Sequence, residues 1–348
     1  MTGTLELSTP LPTAGFGGMV RLAEAPGDAH ALVAAAEAVP ETLPRMLAEA
    51  GGVLALQGLD GISDDPMLLL RLSRLFGPEV EDYRRTLTAL NMVHGDVPEI
   101  FIVSNVPPVK RAPPKRPEPP LTADGRFPVQ YPQRSGWHTD QSYRRPPPDI
   151  SLFYCKVAAP RDQAQTLFAD GTAAYAALPA DLKARVDGLE ALHVKPHSGR
   201  TRADMLAGAT PGPQEPLARS QRQPVVRAHP VTGRPALYLC ESSQLDWFEG
   251  PFVGLEPGPH GEGAALLDAL MTHYTRPEFV YVHEWTSGDL VVWDNRCTVH
   301  TATWFDADHV DRVMWRTTVR GNPGALYDGE ARSWLPPGAA GKEAAAAE

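Results

Sequence analysis

Two short segments, far apart in the chain, hold the side chains best suited to binding a metal ion. The first is Trp137-His138-Thr139-Asp140. In extended backbone, residues i and i+2 project to one face, so His138 and Asp140 can present an imidazole nitrogen and a carboxylate oxygen to a single ion. Taken alone, a His-x-Asp pair equally describes a surface histidine beside an aspartate. The second segment runs from Gly288-Asp289 through Leu290-Val291-Val292-Trp293-Asp294-Asn295-Arg296 to His300. A turn, an apolar strand and a polar bend there would bring in a third ligand, His300. Two histidines and one carboxylate leave coordination positions open on one side. Non-haem Fe(II) oxygenases use this arrangement to bind a bidentate co-substrate and then O2.

Beyond His300, Arg312 and Arg316 are separated by Val313-Met314-Trp315. The β-branched content of this stretch predicts a strand, on which both guanidinium groups face the same way. Such a pair beside a metal is a carboxylate-binding device, because the planar fork pairs bidentately with carboxylates and gains strength where water is excluded. The alternative is a pair of surface arginines that neutralise Asp306, Asp308 and Asp311.

These residues need a scaffold. Residues 29–50 contain two helical patches broken at Pro40, and 66–76 set leucines at helical spacing behind a first-turn proline. Further helices are expected at 172–178, 180–189 and 262–275, the last with leucines and alanines on one face. Short β-type runs occur at 52–56, 100–103, 150–156, 225–228, 236–239, 279–283, 290–293 and 313–319. Many short strands with irregular connections, and no Gly-rich phosphate-binding fingerprint, predict a mainly β core with flanking helices. A double sheet or barrel accounts for this better than a parallel βαβ array.

Proline is abundant, 36 residues in 348, about twice the usual share. It concentrates at 107–120 and 146–148, which read as loops because proline lacks the N–H that a ladder or helix requires. The first is either a mobile surface loop or a lid, and its position shortly before His138 favours the lid. The expected organisation is one catalytic domain over 1–337, with 104–134 as a proline-rich insertion or lid, and a disordered low-complexity tail at 338–348.

Acidic residues outnumber basic ones, 42 to 32, for a net charge of −10, which sets a repulsive mean field against nucleic acid. The N-terminal stretch lacks a basic region followed by an apolar core, and no apolar run approaches membrane-helix length, so secretion and membrane insertion are disfavoured. Three widely spaced cysteines, Cys155, Cys240 and Cys297, suit neither a disulfide framework nor a CxxC metal site. The expected compartment is the reducing cytoplasm.

Five ordered blocks carry a family resemblance: WHTD (137–140), QTLFADGTAAYAAL (165–178), PVVRAHPVTGRPALYL (224–239), GDLVVWDNRCTVH (288–300) and RVMWRTTV (312–319). The chain resembles the Fe(II)/2-oxoglutarate-dependent dioxygenases of the taurine dioxygenase and 2,4-dichlorophenoxyacetate dioxygenase group over about residues 50–320, with 104–134 unmatched. The resemblance implies a distorted double-stranded β-helix, the cupin-like jelly roll. It implies His138, Asp140 and His300 as ligands of Fe(II), and Thr166 and Arg312 as the grip on the distal carboxylate of 2-oxoglutarate. It implies that Arg316 faces an anionic primary substrate. The reaction implied is hydroxylation of an unactivated C–H bond with O2 and 2-oxoglutarate, yielding succinate and CO2. Desaturation, or fragmentation after hydroxylation, is also found in the family. Asp140 disfavours halogenation, since related halogenases lack this carboxylate.

The resemblance also points to substrate contacts just before and just after the WHTD block and on the loop after the first strand pairs. Tyr143 and His94 are the candidates there, with Ser135, Gly136 and Arg144-Arg145 nearby. Gly136 departs from the polar amide that precedes the Trp in the taurine enzyme, which disfavours taurine. Three alternatives stay open. One is a non-redox metalloenzyme on a cupin-like barrel, another a binding protein that keeps the fold without turnover. The third is a tailoring dioxygenase acting on an amino acid or secondary metabolite. Family members are commonly dimers or tetramers, so a homo-oligomer is compatible with the sequence.

Overall fold

The computed structural model describes residues 3–320 apart from 13, 87, 114–115, 133–135, 145–146, 213 and 215–218. The tail expected at 338–348, together with Ser135 and Arg145, lies outside the described residues. In chain order the elements are β1 (Leu5–Ser8), β2 (Gly18–Leu22), α1 (Ala29–Ala38), α2 (Thr42–Glu49), β3 (Val53–Leu56), α3 (Gly61–Asp64), α4 (Met67–Arg74), β4 (Glu79–Val80) and β5 (Phe101–Ser104). There follow β6 (Ile150–Val157), β7 (Thr166–Asp170), α5 (Gly171–Ala176), α6 (Ala180–Val186), β8 (Glu190–His193), α7 (Arg202–Leu206), β9 (Gln221–Pro224), β10 (Val226–Ala228) and β11 (Pro235–Leu237). The last are α8 (Glu262–Tyr274), β12 (Val280–His283), β13 (Leu290–Asp294), β14 (Thr298–Ala302) and β15 (Val313–Arg320).

A major sheet runs β1-β2-β3-β13-β6-β15-β4, with β5 also paired to β15; all its pairs are antiparallel except β2 with β3. A minor antiparallel sheet runs β12-β7-β14. The period of two along a strand sorts side chains between the layers. On β13, Leu290 and Val292 join the cluster beneath α1, α2 and α4, whereas Val291 and Trp293 join Phe168 of β7 and Tyr281 of β12 between the sheets. Both faces of β13 are thus covered, which is why it reads as an unbroken apolar run. Phe168 meets Trp293 with ring centroids 5.4 Å apart, closing the inter-sheet core. Burying each such ring contributes roughly 1.5–3 kcal/mol.

The outer face of the minor sheet, through Leu167, Ala169, Val280 and Val299, packs on Leu267, Leu270 and Met271 of α8. The helices follow local chemistry. Asp28 caps α1 by accepting from the Ala31 N–H at 2.9 Å. Pro40, which supplies no helical N–H, falls between α1 and α2. Two opposed sheets, flanked by helices on their outer faces, form the distorted jelly roll. Among the described residues, no helix is long and apolar enough to cross a membrane.

The sequence reading missed β1, β2, β4, β8, β9 and, more consequentially, β7 and β14. Both of these are five-residue strands with polar residues on the inward face, and their pairing is non-local, so periodicity carried little signal. The segment holding His138 is not a strand. It makes a single antiparallel bridge, His138 with His300.

Candidate metal and anion site

Each triad residue is set by a different device. His300 lies on the inward face of β14, opposite Phe168 in register, with its ring 4.7 Å from Trp293. His138 is locked to it by two backbone hydrogen bonds of 3.0 and 2.8 Å. This bridge brings the imidazole centroids to 4.2 Å. The His138 Nδ1–H donates to the Gly136 carbonyl at 2.8 Å, fixing the tautomer that leaves Nε2 as a lone-pair donor. Asp140 Oδ1 lies 4.0 Å from Nε2 of both histidines.

Asp140 is oriented by residues that sequence reasoning did not single out. Its Oδ2 accepts from Ser151 Oγ at 2.7 Å, and Ser151 Oγ accepts from Asn295 Nδ2 at 2.9 Å. Asn295 Oδ1 accepts from the Asp140 N–H at 3.1 Å and from Trp293 Nε1 at 3.0 Å, while the Asn295 carbonyl accepts from Thr139 Oγ1 at 2.8 Å. Asn295 is therefore a buried hub joining the metal-ligand loop to the β13–β14 turn. The available signal was a serine at an inward position of β6, beside Phe153 and Cys155 on the same face, and an amide in the bend before His300.

Electrostatics favour a cation here. Burial alone would raise the Asp140 carboxyl, but the Arg316 guanidinium, the two imidazoles and the Ser151 hydroxyl outweigh it and hold it at about 2. Burial, then the neighbouring imidazole, pushes His300 down to about 3. Burial also lowers His138. Near neutral pH the site thus offers two neutral imidazoles and one carboxylate, with donor atoms all within 4.8 Å of one another. This donor set suits a divalent transition ion with open positions.

Arg312, just before β15, and Arg316, on it, both project inward; Arg312 is buried and Arg316 half-buried, and among the described residues neither pairs with Asp306, Asp308 or Asp311. Arg312 rests 5.7 Å from the Phe153 ring centroid, Phe153 meets Trp285 edge-on at 5.5 Å, and Trp285 Nε1 donates to Thr166 Oγ1 at 2.9 Å. Thr166 and Arg312 thus flank one aromatic pair. Among the described residues no carboxylate pairs with the Arg312 guanidinium, and burial lowers it to about 10. A buried cation without a counter-charge is costly, and a ligand carboxylate would offset that cost. Arg316 instead donates from Nη1 to Asp140 Oδ1 at 2.9 Å.

The other candidates separate. Tyr143 is half-buried within electrostatic reach of Asp140 and Arg316, and burial raises its phenol. His94 is not brought to the triad. Its ring meets Trp315 edge-on at 5.0 Å, on the face of β15 opposite Arg316, and Nδ1 accepts from the Asp96 and Val97 N–H groups. Alternation along β15 is the reason, since Trp315 points toward the helical layer. Arg144 is tied to the buried carboxylate of Glu81 rather than solvated. From the proline-rich segment, Arg116 Nη2 donates to Thr301 Oγ1 at 2.8 Å, next to His300.

With this geometry in view, the comparison with known proteins is decisive at family level. Residues 22–318 match the model of the "Taurine catabolism dioxygenase TauD, TfdA family". The chain belongs to this family. A relative, the (S)-phenoxypropionate/alpha-ketoglutarate-dioxygenase of Sphingobium herbicidovorans, is 35% identical over 192 residues, 54% of this chain and 63% of that protein. The chain thus matches about three fifths of that relative's length. Among solved structures, AAD-2 in complex with Mn(II) and N-oxalylglycine superposes with a TM-score of 0.57 at 26% identity, covering 93% of this chain and 100% of that one. A taurine dioxygenase from Burkholderia xenovorans gives 0.57 at 22% identity over 91% of each chain, a likeness of fold.

Proposed function

We propose that this TauD/TfdA family member is an Fe(II)- and 2-oxoglutarate-dependent dioxygenase that hydroxylates an unactivated C–H bond of a small anionic organic substrate, with succinate and CO2 as co-products. The observation that carries the reading is the coincidence of two features on one inter-sheet face. One is the His138-Asp140-His300 cluster; the other is the buried, carboxylate-free guanidinium of Arg312. A non-redox metalloenzyme would need the first but has no use for the second. The α-ketoglutarate dependence in the name of the Sphingobium relative agrees with it.

In this reading His138 Nε2, His300 Nε2 and one oxygen of Asp140 hold the metal. When bound, Fe(II) supplies O2 activation coupled to oxidative decarboxylation of 2-oxoglutarate. The protein's part is binding and geometry. Arg312 takes the distal carboxylate of 2-oxoglutarate by its fork, and Thr166 adds a hydroxyl. The Thr166 hydroxyl is free to donate to that carboxylate because its oxygen already accepts from Trp285. The packed rings of Phe168, Trp293 and Phe153 exclude water from the space between the sheets. Tyr143, within electrostatic reach of Asp140 and Arg316, would form a wall for the primary substrate. The reading is tested by measuring succinate from 2-oxoglutarate with anaerobically Fe(II)-loaded protein exposed to O2, across aryloxy acids, sulfonates, sulfate esters and amino acids. Stimulation by one class is expected. No succinate above a metal-free control would reject it.

A further inference from the structure

The loop that carries Asp140 is held from two sides. Directly after Asp140 come Gln141, in left-handed backbone at φ 47°, and Ser142, which is fully buried. A residue other than glycine rarely adopts that conformation, and it persists only where its surroundings fix it. Before Gln141 the Asn295 side chain supplies the fixing, through the Asp140 N–H. After Gln141 both oxygens of Ser142 are gripped by one small sheet. His193 Nδ1 lies 2.7 Å from Ser142 Oγ, and Gln223 Nε2 donates to the Ser142 carbonyl at 2.7 Å.

His193 belongs to β8 and Gln223 to β9. The register pairs Ala191 with Gln223 and His193 with Gln221, so His193 and Gln223 are diagonal neighbours on one face of the ladder. Both are fully buried. Among the described residues, His193 Nε2 and Gln223 Oε1 meet no hydrogen-bond partner. Each side chain therefore bonds through one end, and that end goes to Ser142. The Cys240 thiol, 3.6 Å from the same His193 nitrogen and 3.5 Å from Ser142 Oγ, closes the group. An apolar side chain would fill either place without stranding a polar atom, so packing alone does not account for an imidazole and an amide here. Burial, then the charge of Arg227, pushes His193 down to about 3, so the grip adds no charge beside the metal-ligand loop near pH 7.

We propose that His193 and Gln223 are positioning residues: through Ser142, the β8–β9 ladder keeps Gln141 in its left-handed conformation and so sets where Asp140 offers its carboxylate to the metal ion. Tyr143, the next residue after Ser142, is placed by the same grip. Without it, Gln141 relaxes toward ordinary backbone angles and the Asp140 carboxylate turns from the two imidazoles. A sheet that supplies no metal ligand thereby takes part in the metal site. This inference rests on the metal-site reading, and its test measures metal binding instead of turnover.

The metal-free full chain is titrated calorimetrically with Mn(II), and the electron paramagnetic resonance spectrum of the bound ion is recorded. Ser142→Ala and His193→Phe remove the two ends of one hydrogen bond. Each should weaken Mn(II) by roughly tenfold, the lower end of the range for outer partners of a metal site, and broaden the spectrum. The double variant should lose little more than the larger single loss, as expected of residues that act through one contact. His193→Asn, which keeps a hydrogen-bonding atom at the δ position, should recover most of the affinity. Leu192→Ala, on the opposite face of β8, is the control for stability alone: it should unfold at lower urea yet bind Mn(II) as the parent does. Unchanged Mn(II) affinity in Ser142→Ala, additive losses in the double variant, or equal weakening in Leu192→Ala would overturn the proposal. A parent that binds no Mn(II) would sink the metal-site reading and this inference with it. A parent that binds Mn(II) with this dependence on Ser142 and His193, yet forms no succinate when loaded with Fe(II), would sink the dioxygenase reading and leave the positioning residues standing.

Discussion

Ser151 Oγ donates to Asp140 Oδ2 at 2.7 Å, leaving Oδ1 as the oxygen that faces both imidazoles. The bond would leave Asp140 one oxygen for a metal ion, because Oδ2 is engaged by Ser151. Outer partners of this kind are typically worth about 10- to 100-fold in metal affinity. Ser151→Ala should therefore weaken Mn(II) binding within that range, measured by calorimetry, and broaden the Mn(II) electron paramagnetic resonance signal as the carboxylate gains freedom. Ser151→Thr, which keeps a hydroxyl, should restore most of the affinity. An unchanged dissociation constant in Ser151→Ala would show that the carboxylate is held by other means.

Arg312 offers a separate handle on the co-substrate. Among the described residues no carboxylate meets its buried guanidinium, so a ligand carboxylate would supply the missing charge. Arg312→Gln should raise the KM for 2-oxoglutarate by about tenfold or more, the range expected for losing a charge-assisted contact. Mn(II) affinity in the absence of co-substrate should stay the same. Loss of Mn(II) binding with 2-oxoglutarate affinity intact would reverse the two roles.

The contrast between His300 and Ser151 shows what was legible in the sequence and what was not. His138 and Asp140 alone were ambiguous and became legible with His300 and the five ordered blocks, while strand parity put Arg312 and Arg316 on one face but left a surface pair open. The apolar stretches of β6 and β13 and the β-branched content of β15 announced the major sheet. Ser151 and Asn295 carried only a faint signal because their value lies in partners 11 and 144 positions away, which only pairing across the sheet reveals. His94 was misplaced for the opposite reason. The resemblance pointed to its loop, but the loop delivers it to the other face of β15.

Buried neutral histidines set the acid side of the stability profile. His193, fully buried with Nδ1 bonded to Ser142 Oγ at 2.7 Å, is pushed down to about 3 by burial and then by Arg227, and His300 to about 3. The unfolded chain takes up these protons below about pH 6.5, whereas the folded chain does not until about pH 3. The unfolded state therefore binds more protons in this window, and stability falls as pH drops through it. Each such histidine contributes about 1.4 kcal/mol per pH unit. Asp140, held at about 2, adds its own loss only below the ordinary carboxylate range. Urea unfolding of metal-free protein between pH 7 and 5 should show this slope, and His193→Gln should reduce it by about one proton. An identical slope in that variant would mean that His193 titrates normally.

Gly136 ties the proline-rich segment to the metal site through backbone geometry. It sits at φ +86°, a conformation that L side chains rarely adopt. A Cβ there would meet Thr301 Oγ1 at 3.0 Å and collide with Arg116 Nη2. The same residue's carbonyl accepts from His138 Nδ1 at 2.8 Å, so strain at Gly136 passes directly to a metal-ligand ring. Gly125 provides the control, with φ +77° but nothing within 4 Å of an added Cβ. Both Gly→Ala changes carry the backbone penalty, about 1–2 kcal/mol. Gly136→Ala should lose more than Gly125→Ala in urea unfolding, because the Arg116–Thr301 bond must also break. It alone should weaken Mn(II) binding as His138 reorients. Equal losses at both positions with Mn(II) affinity untouched would show that the turn before His138 supplies chain direction and nothing to the metal site.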